Sequence, residues 1–358
     1  MSGTSLDGVD VAVIETDGER VLGFGPAMTV AFDEAALCNI EDATEAALRW
    51  NFEGPPPNAL AHGSAVVDAA HIKAVQAFAE AHPDVFAGVE VIGYHGQTVL
   101  HRPGKNRTLQ LGNGQALADR FGVPCVHDFR SNDMAQGGQG APLAPVYHRA
   151  LVREAGLEDG TVVLNLGGVG NATLFAPELV ASDTGPGNGP LDQWMLRRGG
   201  VPFDRDGVAS GAGTPDESRV ARWIEGAFFQ KPVPRSADRY EFVEMLAVDG
   251  MGLEDGAATL AQFTAESVAR TLEDLGAKVG GIVVCGGGRK NPTLMRMIGE
   301  ATGAEVVSAE GLGWDGDALE AQAFAFLAVR ALEGLPLSYP GTTGVREAVS
   351  GGVVAWPK

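Results

Sequence analysis

Basic residues are scarce in this chain. Lys and Arg number 26 against 46 Asp and Glu, a formal net charge of −20 at pH 7. A field of that sign repels nucleic acid and anionic membrane, so neither is expected as a partner, and it favours solubility. It repels ATP as well, unless the nucleotide arrives with a metal and meets backbone N–H groups locally. Cysteine is sparse too: Cys38, Cys125 and Cys285 are far apart and odd in number, with no CxxC pair or Cys/His cluster for zinc. Reduced thiols in a cytosol fit this usage. No run approaches the ~18 uninterrupted apolar residues of a spanning helix. The first residues, MSGTSLDG, lack the basic and apolar regions of a signal peptide, so a cytoplasmic protein is expected. GxxxxGK[ST] is absent, as is a convincing dinucleotide fingerprint, which argues against P-loop enzymes and dehydrogenases. No short repeat is evident.

What is present is an ordinary globular composition with an excess of glycine. The 358 residues are 45% hydrophobic and 20% charged, enough for two modest domains. Glycine numbers 50, about twice the typical usage of about 7%. The glycines cluster at the ends of apolar strands, where they let backbone approach a ligand closely.

Periodicity predicts strands over 9–15, 21–30, 89–94, 161–166, 171–175, 179–182, 281–285 and 304–308, the second and the fifth closing hairpins with the strands before them. Helices are predicted over 33–50, 61–82, 115–121, 142–155, 214–230, 255–276, 291–301 and 317–333. Residues 51–57 and 130–141 read as loops. Two halves that each begin with strands and add helices imply an α/β chain of duplicated architecture.

Five strand ends carry polar or glycine-rich loops: 2–10, 95–98, 167–171, 183–188 and 286–291. Ligands of open α/β sheets gather outside the carboxyl ends of strands. Asp183, read as lying at a strand end before Gly and Pro residues, is placed to take a proton from a hydroxyl or a water, or to cap an Asx turn. Asp7 and Asp10 fit Mg²⁺, a substrate or a turn cap. His95 fits a sugar hydroxyl or a hydrogen bond within the fold. Arg130 fits a carboxylate or a surface role. Trp314, Phe324 and Phe326 read as core or lid packing, and Asp204 and Asp206 as a turn. Glu320 stands in an otherwise apolar helix and needs a partner or a ligand.

These segments resemble the anhydro-N-acetylmuramic acid kinase family. The resemblance rests on MSGTSLDGVD at 1–10, GYHGQT at 93–98, LQLGN at 109–113, DFR at 128–130, GGQGAPL at 137–143, LNLGG with Asn171 at 164–171, DTGPGN at 183–188, FDRDG at 203–207 and CGGG at 285–288. They occur in the family's order and cover almost the whole chain. The resemblance implies a two-domain fold of the actin, hexokinase and Hsp70 type (ribonuclease H-like), with ATP in an interdomain cleft. The domains expected are 1–130 plus about 335–358, and 131–334. It also implies the reaction: water opens the 1,6-anhydro bond at C1 while O6 takes the γ-phosphoryl group, giving N-acetylmuramate 6-phosphate and ADP in cell-wall recycling.

By family position Asp183 is the base. Gly3, Thr4, Ser5, Leu6, Asp7, Gly8, Val9 and Asp10, with Gly167, Gly168, Asn171, Gly286, Gly287 and Gly288, receive ATP, which Mg²⁺ accompanies. His95, Gln97, Arg130 and Glu320 contact the sugar. A homodimer is what the family suggests. The chain departs from the family pattern twice. It starts at Met1, where several apolar residues usually precede MSGTS, and Ser131-Asn132 follow Arg130, where further basic residues are frequent. The competing readings are a kinase for another anhydrosugar such as levoglucosan, and a non-catalytic ATP-binding switch on the same fold.

Overall fold

Apolar runs at strand and helix spacing build two compact units in the computed structural model, which describes residues 1–3, 6–237, 242, 248, 250–276 and 278–358. The first unit comprises Met1–Glu154 and Glu320–Lys358, the second Ala155–Leu319. Residues 131–154 and 320–334, grouped with the second domain on sequence, lie in the first unit.

The first unit opens with the antiparallel hairpin β1 (Gly8–Thr16) and β2 (Val21–Ala31). The turn between them is held by Asp17, whose carboxylate accepts the N–H groups of Glu19 and Arg20. Helix Glu34–Trp50 starts on the cap that Asp33 gives to Ala36 N–H and ends where Asn51 turns left-handed. Helix Asn58–Ala81 begins after Pro57, three residues earlier than its periodicity suggests. Its Leu60, Val67 and Ala74 join Ile40, Ala43, Leu111 and Leu117 in one core. Each large aliphatic or aromatic side chain buried there contributes roughly 1.5–3 kcal/mol. Gly63 permits the close helix contact, since a Cβ would lie 2.6 Å from that of Ala43.

The strand expected over 89–94 shortens to β3 (Ile92–Gly93). Sequence reading missed β4 (Gln97–Arg102), which pairs with β5 (Arg107–Leu111), and β6 (Cys125–His127), which pairs with β3 and with the strand Val353–Ala355. Three-residue strands carry too few side chains to show a period of two. Helix Leu319–Leu332 returns to this unit. Gly93 receives it so closely that a Cβ there would stand 2.2 Å from the Phe324 carbonyl, which fixes Glu320 at the helix start.

His71 and His148 are buried in the first unit. Burial lowers their pKa to about 3 and about 4. Folded, they stay neutral; unfolded, they take protons near pH 6.5. Stability is therefore fully present above that pH and is lost as pH falls toward the depressed values. Going from pH 7 to pH 5 should cost about 1–2 kcal/mol per histidine. Thermal melts against pH check this, with His148→Gln flattening the acid slope.

The second unit is built on a five-stranded sheet in the order β11-β10-β7-β8-β9. Its strands are β7 (Thr161–Leu166), β8 (Val169–Leu174), β9 (Val180–Pro186), β10 (Gly281–Cys285) and β11 (Val306–Ser308). The first three form an antiparallel meander, and β10 and β11 add in parallel. That order and those directions are those of a ribonuclease H-like sheet. Helices Leu253–Asp274 and Pro292–Thr302 make the parallel crossovers. The first of them packs Ala257, Leu260, Ala261, Val268 and Leu272 into a core with Val162, Leu164, Val284 and Ile298. The helix predicted over 214–230 shortens to Glu217–Ile224, capped by Asp216.

Candidate active site

The second unit gathers glycine loops at the carboxyl ends of β7, β9 and β10. Gly167–Gly168 is the tight turn from β7 to β8. Backbone N–H groups from the β9 loop dock on it: Asn188 to Gly167 O at 2.7 Å, and Gly187 and Gly189 to Gly168 O at 3.1 and 3.2 Å. Gly187 must be glycine, because a Cβ would sit 2.2 Å from Gly167 O. Gly286 leaves β10 with φ +74°, and its Cβ position lies 2.4 Å from Asn165 Oδ1. Gly288 approaches Asn188 Oδ1 and Leu166 Cβ as closely, and Gly287 lies beside Asn188 Nδ2. Asn188 Nδ2 in turn donates to Leu166 O at 3.2 Å. The loops thus interlock backbone on backbone with Asn188 among them, while Gly168 has nothing within 4 Å of its Cβ position. An interlocked, side-chain-free surface of this kind suits a phosphate.

Asp183 is not at a strand end. The ladder with β8 runs on to Val169 and Pro186 past a bulge at Gly170/Asn171, so Asp183 lies within β9, opposite Asn171. A Gly-Pro pair can continue this strand because β9 is the outermost of its sheet among the described residues. Asn171 is likewise inside β8, opposite Asn165, and Asn165 is opposite Cys285. A row of polar side chains therefore crosses the sheet from Asp183 toward the β10 loop. Asp183 is 7% exposed. Its N–H donates to Arg235 O at 2.9 Å, and its Oδ2 accepts the N–H of Ala237 at 2.8 Å. Asp204 is buried and caps the turn of Val208–Ala212 through the N–H groups of Ala209 and Ser210.

In the first unit, the chain start is tied to the loop after β3. Ser2 pairs with Val9, and Gln97 Nε2 donates to Gly3 O at 3.1 Å. Leu6 adopts φ +59° and donates its N–H to Gly3 O. Thr4 and Ser5, expected to cradle phosphate, lie outside the described residues. Gly8 and Val9 are buried at the head of β1. Gln97 is 1% exposed, and its Oε1 has no hydrogen-bond partner among the described residues. Gly96 runs against Leu111 O, 2.3 Å from where a Cβ would be, at φ +69°.

His95 packs on Phe324 with ring centroids 4.4 Å apart. Its Nδ1 faces Gly96 O at 3.0 Å, and its Nε2 takes Arg130 Nε at 3.2 Å and a second guanidinium nitrogen at 3.0 Å. Arginine only donates, so Nε2 is the acceptor and Nδ1 carries the proton. Burial and then the Arg130 charge hold the His95 pKa well below its usual value. Both ring nitrogens are therefore engaged, and His95 serves to orient Arg130, whose fork is also fixed by Gly140 O at 2.7 Å.

Desolvation raises the Glu320 carboxyl pKa; the Arg130 charge pulls it down, and those of Asp10 and Asp7 push it up. The Asp10 carboxylate accepts Thr29 Oγ1 at 2.6 Å. No three metal-ligating side chains gather among the described residues. A cavity of about 510 Å³ in this unit lies between β1 and residues 88–94, lined largely by apolar side chains such as Val11, Phe78 and Ile92, and shares Val9 and Asp10 with the candidate loops.

Sequence reasoning missed Asn165, Asn188, Arg235 and Ala237. The first two stand inside the recognised LNLGG and DTGPGN segments. The last two act through backbone groups and carry no motif.

No helix among the described residues is long and apolar enough to cross a membrane. A model of the family described as anhydro-N-acetylmuramic acid kinase matches residues 1–357. The anhydro-N-acetylmuramic acid kinase of Mesorhizobium japonicum is 45% identical over 99% of this chain and 97% of its own. That of Nitrobacter winogradskyi is 46% identical over 100% and 98%. Among solved structures, ethanolamine utilization protein EutJ from Carboxydothermus hydrogenoformans aligns over 90% of this chain and 87% of its own, at 13% identity and TM-score 0.37. With the glycine loops, Asp183 and the family match running over the same residues, this chain belongs to the anhydro-N-acetylmuramic acid kinase family.

Proposed function

We propose that the protein is an ATP-dependent, cytoplasmic kinase that opens 1,6-anhydro-N-acetylmuramic acid with water and phosphorylates O6, in peptidoglycan recycling. The observation that carries this is Asp183. The Ala237 N–H anchors its carboxylate in a buried strand, with the glycine cradle at the end of the same strand. Water is a poor nucleophile and needs a base. Asp183 takes one proton while the water oxygen bonds to C1; the C1–O6 bond breaks, and the electron pair stays on O6. O6 then attacks the γ-phosphorus, and the bond to the ADP oxygen breaks. The alkoxide is freed by bond cleavage, so no second base is required. The rest is positioning and charge stabilisation.

The N–H groups of the Gly167–Gly168 turn take the phosphates, and Gly286–Gly288 the adenosine side. Asp7 and Asp10 are the carboxylates that would hold Mg²⁺, which neutralises phosphate charge and retains few protein ligands. Arg130 takes the lactyl carboxylate that distinguishes muramate. Gln97 Oε1 accepts a sugar hydroxyl or amide N–H, and Glu320 contacts a hydroxyl.

Removing a charge-assisted hydrogen bond costs about 1.5–3 kcal/mol, or roughly 10- to 150-fold. Arg130→Met should therefore raise the KM for anhydro-N-acetylmuramate by that factor and leave the KM for ATP unchanged. Steady-state kinetics with each substrate varied in turn test it. An unchanged sugar KM, or wild-type turnover of levoglucosan, which has no carboxylate, would move the substrate assignment.

A further inference from the structure

Arg235 lies outside the proposed chemistry and is 2% exposed. Its guanidinium donates to Asp274 Oδ2 and Lys231 O at 3.0 Å, to Phe229 O at 3.3 Å and to Thr271 Oγ1 at 2.9 Å. The Phe228 and Phe229 ring centroids lie 4.9 and 5.5 Å from its central carbon. Thr271 and Asp274 belong to the long helix Leu253–Asp274. The Arg235 Nε has no hydrogen-bond partner among the described residues; burying an arginine is costly even when it is paired, and exposed residues close loops without that cost. Such an arrangement needs a purpose other than closing a turn.

The backbone of the same residue brackets the strand that carries the base. Arg235 O accepts the Asp183 N–H at 2.9 Å, and Arg235 N–H donates to Ser182 Oγ at 3.1 Å. Two residues on, Ala237 N–H reaches Asp183 Oδ2 at 2.8 Å. Among the described residues β9 has no neighbouring strand on this side, and residues 235–237 supply what a further strand would. We propose that Arg235 is the positioning residue of Asp183: bolted to helix Leu253–Asp274, it holds the 235–237 segment so that Ala237 N–H fixes the orientation of the carboxylate. This rests on the reading of Asp183 as the base. Thr271 adds to the bolt, since its hydroxyl also reaches Thr184 O.

A double-mutant cycle tests it. Misplacing a reacting group by about 1 Å costs on the order of 10²-fold. Arg235→Gln should lower kcat by that factor with the KM for ATP unchanged, and Arg235→Lys should recover part of the loss. In an Asp183→Asn background the same change should lower the residual rate by less than about 3-fold, because residues acting as a unit are not additive. An equal loss in both backgrounds, or no loss in either, overturns the proposal. If Arg235→Gln does not fold, Ala237→Pro, which removes the N–H onto Oδ2 and leaves the Arg235 side chain intact, takes its place in the cycle with the same two outcomes. Failure of the underlying reading shows separately: Asp183→Asn alone would then keep wild-type kcat, which overturns both.

Discussion

Asp183→Asn should lower kcat by about 10³-fold, within the 10²- to 10⁴-fold range of a general base. Asparagine keeps the shape and an acceptor for the Ala237 N–H, so the bond that holds the side chain can persist. Buried Asp183 sits in a ladder with Asn171, and an isosteric amide disturbs that packing least. What is lost is the capacity to take a proton from water. The proposed ATP site is made of the glycine loops and not of Asp183, so the KM for ATP should change little. Coupled measurement of sugar-dependent ADP release, alongside a melting curve, separates lost chemistry from lost fold. A variant that melts as wild type and still turns over at more than a tenth of its rate would remove Asp183 from the mechanism.

Gly187→Ala should abolish measurable ATP binding and also destabilise the protein. The new Cβ would meet Gly167 O at 2.2 Å, with the Gly167 carbonyl carbon and the Gly170 nitrogen both at 3.1 Å. All three are backbone atoms, which cannot rotate away as a side-chain tip can. Overpacking of this kind costs about 1–3 kcal/mol, and relief comes from moving the Gly167–Gly168 turn itself. Gly168→Ala is the informative contrast. Nothing stands within 4 Å of its Cβ position and its φ is not in the left-handed region, so the melting temperature should hold. Its methyl group projects into the open space assigned to phosphate, so ATP should bind more weakly. Titration calorimetry with a non-hydrolysable ATP analogue, together with melts, reads both. Unaltered ATP affinity in Gly168→Ala would place the phosphates elsewhere.

The glycine loops and the long elements were legible in the sequence because their signals are local. A run such as TVVLNLGG declares a buried strand and a tight turn within eight residues, and helix Leu253–Asp274 shows its period over six turns. Asp183 was legible as a chemical group but not in its setting. Its strand continues through Gly185 and Pro186 only because it lies at a sheet edge, which no local pattern states. The short strand β6 exists by pairing with β3, 33 residues before it, and with the strand Val353–Ala355, more than 200 residues after it, so the sequences of these strands carry little of the cause. The tie between His95 and Arg130, 35 residues apart, and the brace from Arg235 to Asp183 are likewise tertiary. Glu320 stands out in the sequence because its helix is otherwise apolar; the charges of Arg130, Asp10 and Asp7 that act on it come from distant parts of the chain and leave no local signal.

The most direct test is the mass of the sugar product formed from 1,6-anhydro-N-acetylmuramic acid and Mg-ATP. The account predicts a product heavier by one water and one phosphoryl group, formed in step with ADP and missing with Asp183→Asn. A product carrying phosphate but no added water, or ADP release that does not depend on the sugar, would contradict it.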